Sequence, residues 1–418
     1  MPLTAPARPS GGAALLRGTT GRLAILAGPV MLAIAVQSVA NLLFHAALGR
    51  TLPAADYGAL GSVLAAMTLV AVPLTALQTA SARLVADGGL TGRTGRSALA
   101  RALRLLAPVA VLLVLVAGPV SDFLHLGSWW DAALLAPTLL ISGLLATARG
   151  LLLGTGRSRT VAGTYLVSTT IRLGLGVALA VPLGVTGALI GTVLGELAAL
   201  LQATRAVWSD TVGATRSLAL GDLARTTAVV TGLFAFTTVD LFLARHHLPG
   251  DISGAYVAAA TIGKTILALP AAAMSVAYPR LVAAWSARSG QPAALRSSLI
   301  VVGAPAMAGA LVVAVAPGLV LAVLYGSAFP AGTGSLVRAL ALIAGASAFV
   351  SVLAHAAMAR GSRAAYLPWA GAVVQVAAIS VWHSSSMSIA LASGASLLAC
   401  VVLLGGIEAR MWRAAQRR

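Results

Sequence analysis

The sequence predicts an all-α integral membrane protein of about twelve transmembrane helices, arranged as two six-helix lobes related as parallel repeats. Three observations carry this prediction. Of 418 residues, 59% are hydrophobic and only 9% charged, too little charge to cover a water-facing surface of this size. Apolar runs of 18 residues or more, long enough to cross a bilayer as a helix, recur along the whole chain. One pattern also occurs twice. Asn41, Tyr57, Pro73 and Arg83-Leu84-Val85-Ala86 are matched by Asp240, Tyr256, Pro270 and Arg280-Leu281-Val282-Ala283. The first step is 16 residues and the last is 10 in both copies, and only the Tyr-to-Pro step differs, by two. A membrane chain built from two like halves usually places its working site between them, which points to a transporter.

Apolar runs and turn residues place the spans at roughly 23–49, 57–82, 103–124, 132–153, 160–182, 185–207, 226–247, 253–284, 296–324, 335–358, 364–382 and 387–409. The basic residues then fall on alternate sides. Arg93, Arg96 and Arg101 follow the second span, Arg157 and Arg159 the fourth, and Arg216 and Arg225 the sixth. Arg288 and Arg296 follow the eighth, Arg360 and Arg363 the tenth, and Arg410, Arg413, Arg417 and Arg418 the last. The opposite loops, 121–131, 183–186, 325–334 and 383–386, carry no Lys or Arg, with Arg50 and Arg245 the exceptions on that face. The positive-inside rule therefore puts both termini in the cytoplasm. Six spans per half is an even number, so the halves share one orientation and their relating axis runs along the membrane normal. The expected organisation is a tail at 1–22, an N-lobe at 23–208, a polar cytoplasmic linker at 209–222, a C-lobe at 223–409 and a basic tail at 410–418.

Composition and motifs exclude several classes. The net charge of +18 forms no compact basic patch with interleaved aromatics, so nucleic acid is not the expected partner. Cys400 is the single cysteine, so no internal disulfide and no thiolate metal site can form. Arg8, Arg17 and Arg22 precede an apolar stretch too long for a signal-peptide core, which reads as an uncleaved first span. No H-E-x-x-H, C-x-x-C or phosphate-cradling glycine loop is present, and the external loops are too short for a catalytic domain. The sequence therefore predicts neither an enzyme nor a resident cofactor.

The segment from Asn41 through Arg50 and Pro53 to Tyr57-Gly58, continued by Pro73, Gln78 and Arg83, resembles the first hairpin of polysaccharide exporters. These are the oligosaccharide flippases of the multidrug/oligosaccharidyl-lipid/polysaccharide exporter superfamily. The second copy, with Gly254-Ala255-Tyr256, Gly263-Lys264 and Tyr278-Pro279-Arg280, is similar to that family's seventh and eighth spans. The resemblance implies two six-helix lobes around a central V-shaped cavity that alternates access. It also implies a lipid-linked saccharide cargo, such as undecaprenyl-pyrophosphate-linked sugars, moved to the outer face.

An ionisable side chain at bilayer depth costs several kcal/mol unless paired or hydrated, so each one is a candidate functional residue. Five are singled out: Arg172, Glu196, Asp240, Lys264 and Arg338. Arg172 and Glu196 lie about twelve residues either side of the turn at 182–185, hence at equal depth in neighbouring helices. They form either a structural ion pair or a coupled pair on a hydrated wall with Tyr165, Ser168 and Thr169. Lys264, the sole lysine, shares a helix face with Thr261 and Thr265, and Asp240 sits nearer the external loop by about five residues. An ammonium in a water-filled cavity suits a pyrophosphate or acidic sugar; the competing reading is snorkelling or a relaxed pairing with Asp240. Arg338 either snorkels to headgroups or faces the cavity. Arg50 and Arg245 either guide an anionic headgroup out or anchor the interface. Gln37, Asn41 and His45 form a polar stripe on the first span that either joins helices or lines a cavity.

These residues favour a flippase for lipid-linked oligosaccharide or polysaccharide precursors, in contact with membrane lipids and working beside glycan-synthesis partners. The alternative is a cation-coupled multidrug antiporter of the same superfamily, using a proton or sodium. Asn41 stands where that mechanism wants an acid, while Glu196 and Asp240 keep it open. A non-transporting membrane scaffold is the third reading.

Overall fold

The computed structural model describes residues 11–86, 92–208, 221–287, 289–330 and 332–416, and these form helices joined by short turns, with no strand among them. The expected linker and parts of both tails therefore lie largely outside the described residues. The N-terminal half comprises α1 (Gly11–Thr51), α2 (Ala54–Ala71), α3 (Leu74–Ala86), α4 (Gly92–Leu115), α5 (Ala117–Phe123), α6 (Trp129–Ala133), α7 (Leu135–Gly154) and α8 (Ser158–Trp208). The C-terminal half comprises α9 (Gly221–Phe236), α10 (Val239–His247), α11 (Gly250–Ile266), α12 (Ala268–Ser286), α13 (Gln291–Ser298), α14 (Ala304–Val315), α15 (Pro317–Tyr325), α16 (Thr333–Ala359), α17 (Leu367–Val381) and α18 (Ser386–Gln416). A π-helical turn at Leu299–Gly303 joins α13 to α14, and a 3-10 turn at Arg363–Tyr366 leads into α17.

Among the described residues ten helical segments are long and apolar enough to cross a membrane. One of them, α8, is two helices: Gly184 has φ 58°, which reverses the chain two residues after Pro182. The expected fifth and sixth spans thus meet at a single glycine rather than at a four-residue turn. The expected eighth span is not among the ten; it is divided at Leu267 into α11 and α12, three residues before Pro270. The second span breaks likewise at Val72-Pro73, between α2 and α3. Proline removes a backbone donor and clashes with the preceding turn, so the duplicated prolines leave duplicated breaks. The outer surface is what lipid requires and water would not tolerate: Val315 is 81% exposed, Val181 77% and Leu115 73%, within a broad apolar belt. This is a multi-pass membrane protein.

Within the N-terminal half α7 is the central helix, packing on α3, α4 and α8, while α1 lies along α8. In the other half α16 has the same role, packing on α11, α14 and α18, with α17 against α9 and α18. The halves meet chiefly where α2 packs on α11, so the two copies of the repeated sequence pattern are seated on each other. Glycines make that approach possible. A Cβ on Gly58 would lie 2.9 Å from the Gly254 nitrogen, and one on Gly254 would collide with the Ala54 carbonyl. Tyr57 and Tyr256, one from each copy, are completely buried beside this seam.

Candidate functional site

Two cavities hold most of the expected residues, one inside each half. The C-terminal cavity is lined by Thr237, Asp240, Lys264, Ser347, Gln375 and Ser393, among apolar neighbours. Asp240, in the first turn of α10, accepts a hydrogen bond from the Tyr256 hydroxyl at 2.8 Å, and its Oδ1 is buried without a partner. Lys264 enters from the last turn of α11. Its Nζ donates to Thr238 Oγ1 at 3.4 Å and lies 5.9 Å from the centre of the Phe234 ring. Asp240 and Lys264 thus share one cavity despite their different expected depths, and Leu267, where α11 gives way to α12, lines it too. Among the described residues no carboxylate lies within 4.0 Å of the Lys264 ammonium.

The N-terminal cavity is lined by Gln37, Asn41, Phe44, Ser168, Thr169, Arg172, Thr192 and Glu196. Arg172 and Glu196 are at equal depth, because a Cβ on Gly195 would sit 3.1 Å from the Arg172 nitrogen. The expected ion pair is nevertheless not formed. Glu196 instead accepts hydrogen bonds from Ser168 at 2.9 Å and Ser142 at 3.3 Å. The Arg172 guanidinium lies over the Phe44 ring at 4.4 Å, and its Nε is buried without a partner. Two hydroxyl donors hold the Glu196 carboxylate, whereas Arg172 has only an aromatic face and remains poorly compensated. Glu196→Gln is accordingly expected to leave the yield of folded protein within about twofold, since the amide oxygen still accepts from one serine while the amide nitrogen donates to the hydroxyl oxygen of the other. The charge swap Arg172→Glu with Glu196→Arg is expected to do no better than either single neutralisation, read as monodisperse protein recovered in detergent.

The other expected residues are not brought to a cavity. Thr265 is exposed and bonds back to the Thr261 carbonyl at 2.9 Å, and neither threonine lines the cavity that Lys264 enters. Arg338 is exposed, with its Nε donating to the Ala314 carbonyl at 2.9 Å near the end of α14. His45 leaves the Gln37–Asn41 stripe and hydrogen-bonds Tyr57 at 3.1 Å in the core. Tyr165 stays off the Arg172 wall and lies under the Arg149 guanidinium, 3.7 Å from its ring centre.

Arg149 and Glu408 escaped the sequence reading. Arg149 is buried within α7, where its Nε donates to Thr164 Oγ1 at 2.9 Å and its Nη2 has no partner. Glu408 pairs with Arg360 at the ends of α18 and α16, both side chains being at most 5% exposed, with the Arg360 guanidinium 5.2 Å from the Trp285 ring. The signal for both was available: an ionisable residue inside an apolar helix. Arg149 lies inside the expected fourth span and Glu408 at the end of the last.

No protein-family profile and no curated protein sequence matches this chain. Solved structures do, at low identity. A lipid II flippase, MurJ, in an inward closed conformation is 12% identical over 89% of this chain and 86% of that one, with TM-score 0.69. A multidrug resistance MATE-family transporter of the MOP superfamily in an outward-facing conformation is 18% identical over 94% and 95%, with TM-score 0.62. A MOP-superfamily transporter from Pyrococcus furiosus, described as having a binding pocket of reversed polarity, is 17% identical over 94% and 95%, with TM-score 0.63. The chain has the fold of these MOP-superfamily transporters over nearly its whole length.

Proposed function

We propose that this protein is a transporter that flips an anionic, lipid-linked saccharide across the membrane, its two halves rocking about the α2–α11 seam to expose the cargo path to one face and then the other. Splitting α8 at Gly184 and adding α11–α12 to the remaining long helices gives twelve crossings in this reading, six per half, with both termini cytoplasmic. The observation that carries it is the charge inside the halves. Arg172 and Lys264, one per half, stand at membrane depth with no carboxylate of the described residues within 4.0 Å. A cation that no carboxylate touches is poorly compensated in a low-dielectric interior, and an anionic headgroup would supply that contact. The cavities themselves, about 50 and 30 Å³, accommodate a few waters each and not a saccharide, so cargo binding in this reading requires the halves to part.

The antiporter reading has one favourable observation, that each cavity also holds an acid, Glu196 in one and Asp240 in the other. Reconstitution separates the two. Vesicles containing the purified protein and a fluorescent polyprenyl-pyrophosphate oligosaccharide are expected to expose the second leaflet's saccharide to an added lectin within minutes, whereas protein-free vesicles do not. Cation-driven efflux of a lipophilic dye with no movement of the saccharide would replace the flippase by the antiporter.

A further inference from the structure

We propose that Arg50 and Arg245 are two crossed latches of an outer gate, each guanidinium holding the C-terminal end of a helix in the opposite half and releasing it when the halves part. This rests on the orientation adopted above, in which the ends of α1 and α10 face outward. Arg50, in the last turn of α1, donates from Nε to the Leu324 carbonyl at 2.9 Å and from Nη2 to that of Val323, at the end of α15. Arg245, in the last turn of α10, donates from Nε to the Leu124 carbonyl at 2.8 Å and from Nη2 to that of His125 at 2.7 Å, at the end of α5. Its Nη1 reaches the Ala55 carbonyl at 3.1 Å and Ser253 Oγ at 3.0 Å. His246 completes this side: Nδ1 is 2.9 Å from the Phe123 carbonyl and the ring stacks on Phe123 at 4.2 Å.

The arrangement is the same on both sides for a physical reason. Each target helix ends through a left-handed residue, His125 at φ 47° after α5 and Gly326 at φ 63° after α15, which turns the chain away and leaves the last carbonyls open. The Val323, Leu324 and Leu124 carbonyls lie at the negative ends of their helices and that of His125 just beyond, so a forked guanidinium can bond two adjacent carbonyls at once. Beneath the latches the Tyr57 and Tyr325 hydroxyls share a hydrogen bond of 3.0 Å across the same seam. Here the partners are polar groups at a mouth, and both guanidinium and carbonyls can be hydrated when separated, so the bond is exchangeable. The two latches are unequal: Arg245 is buried and makes four contacts, while Arg50 is exposed and makes two.

Val257, whose side chain meets Gly61 in the seam and is 1% exposed, provides the reporter. Val257→Cys in the Cys400→Ser background is labelled in intact cells with a membrane-impermeant thiol reagent. Arg245→Ala is expected to speed labelling about tenfold or more, the shift for losing at least one charge-assisted hydrogen bond from the closed state, and Arg50→Ala to speed it less. Should the alanine variants not fold, Arg245→Lys and Arg50→Lys carry the test, because one ammonium cannot reproduce the fork and labelling should still rise. Faster labelling only in inside-out vesicles would uphold the latches and overturn the orientation. Unchanged labelling from both faces in folded variants would overturn the latches.

Discussion

Lys264→Ala is expected to reduce saccharide flipping to the protein-free background while leaving the amount of folded protein unchanged. The two halves of this expectation have different causes. Lys264 has one weak hydrogen bond, to Thr238 at 3.4 Å, and no acid within 4.0 Å, so little native structure depends on its charge. Removing it relieves a desolvation cost instead of creating one. If the ammonium meets the pyrophosphate, its loss costs about 2–3 kcal/mol of a charge-assisted contact, roughly 30- to 150-fold in rate. Lys264→Arg should keep part of the activity, because a hydrated point-charge contact needs charge more than shape. Arginine does not release its proton, so a proton-coupling role would leave that variant as inactive as alanine. The flipping assay decides between these, and wild-type rates in the alanine variant would remove Lys264 from the mechanism.

The largest expected loss of stability belongs to the Arg360–Glu408 pair. Glu408→Ala strands a guanidinium whose side chain is 3% exposed, with Nε and Nη2 already lacking partners. Breaking such a pair from one side typically costs about 3–5 kcal/mol, enough to collapse the yield of a marginally stable chain. Replacing both members by apolar residues of similar volume, Arg360→Met with Glu408→Leu, should recover most of that loss, because the pair's own desolvation penalty disappears with it. Thermal unfolding in detergent reads both effects. A single variant as stable as the parent would mean that Arg360 finds water or another acceptor.

How far the sequence reached depended on the range of the physics involved. Helix placement and membrane character follow from composition and apolar run length, local quantities, and the ten long apolar helices are where such runs were expected. The turn between the fifth and sixth spans was legible from Pro182 and Gly184, since a proline followed by a residue at positive φ has few other uses. Side-chain partners were not legible. Equal depth suggested that Arg172 meets Glu196, but Ser142 on α7 supplies a donor to Glu196 that no spacing within α8 could reveal. Thr261 and Thr265 share a face with Lys264 in a regular helix, yet of the three only Lys264 lines the cavity, beside residues of α16.

The sequence by itself determined that this chain is helical and membrane-embedded, and that one pattern is written in it twice, because hydropathy and proline act on their own few residues. Only the tertiary structure decided what the duplication is for at the seam. It seats one copy on the other through Gly58 and Gly254, and it turns Arg50 and Arg245 onto the helix ends of opposite halves. Those contacts join residues 121 to 274 positions apart, and at that separation the chain between them carries no local signal of which carbonyl a guanidinium will find.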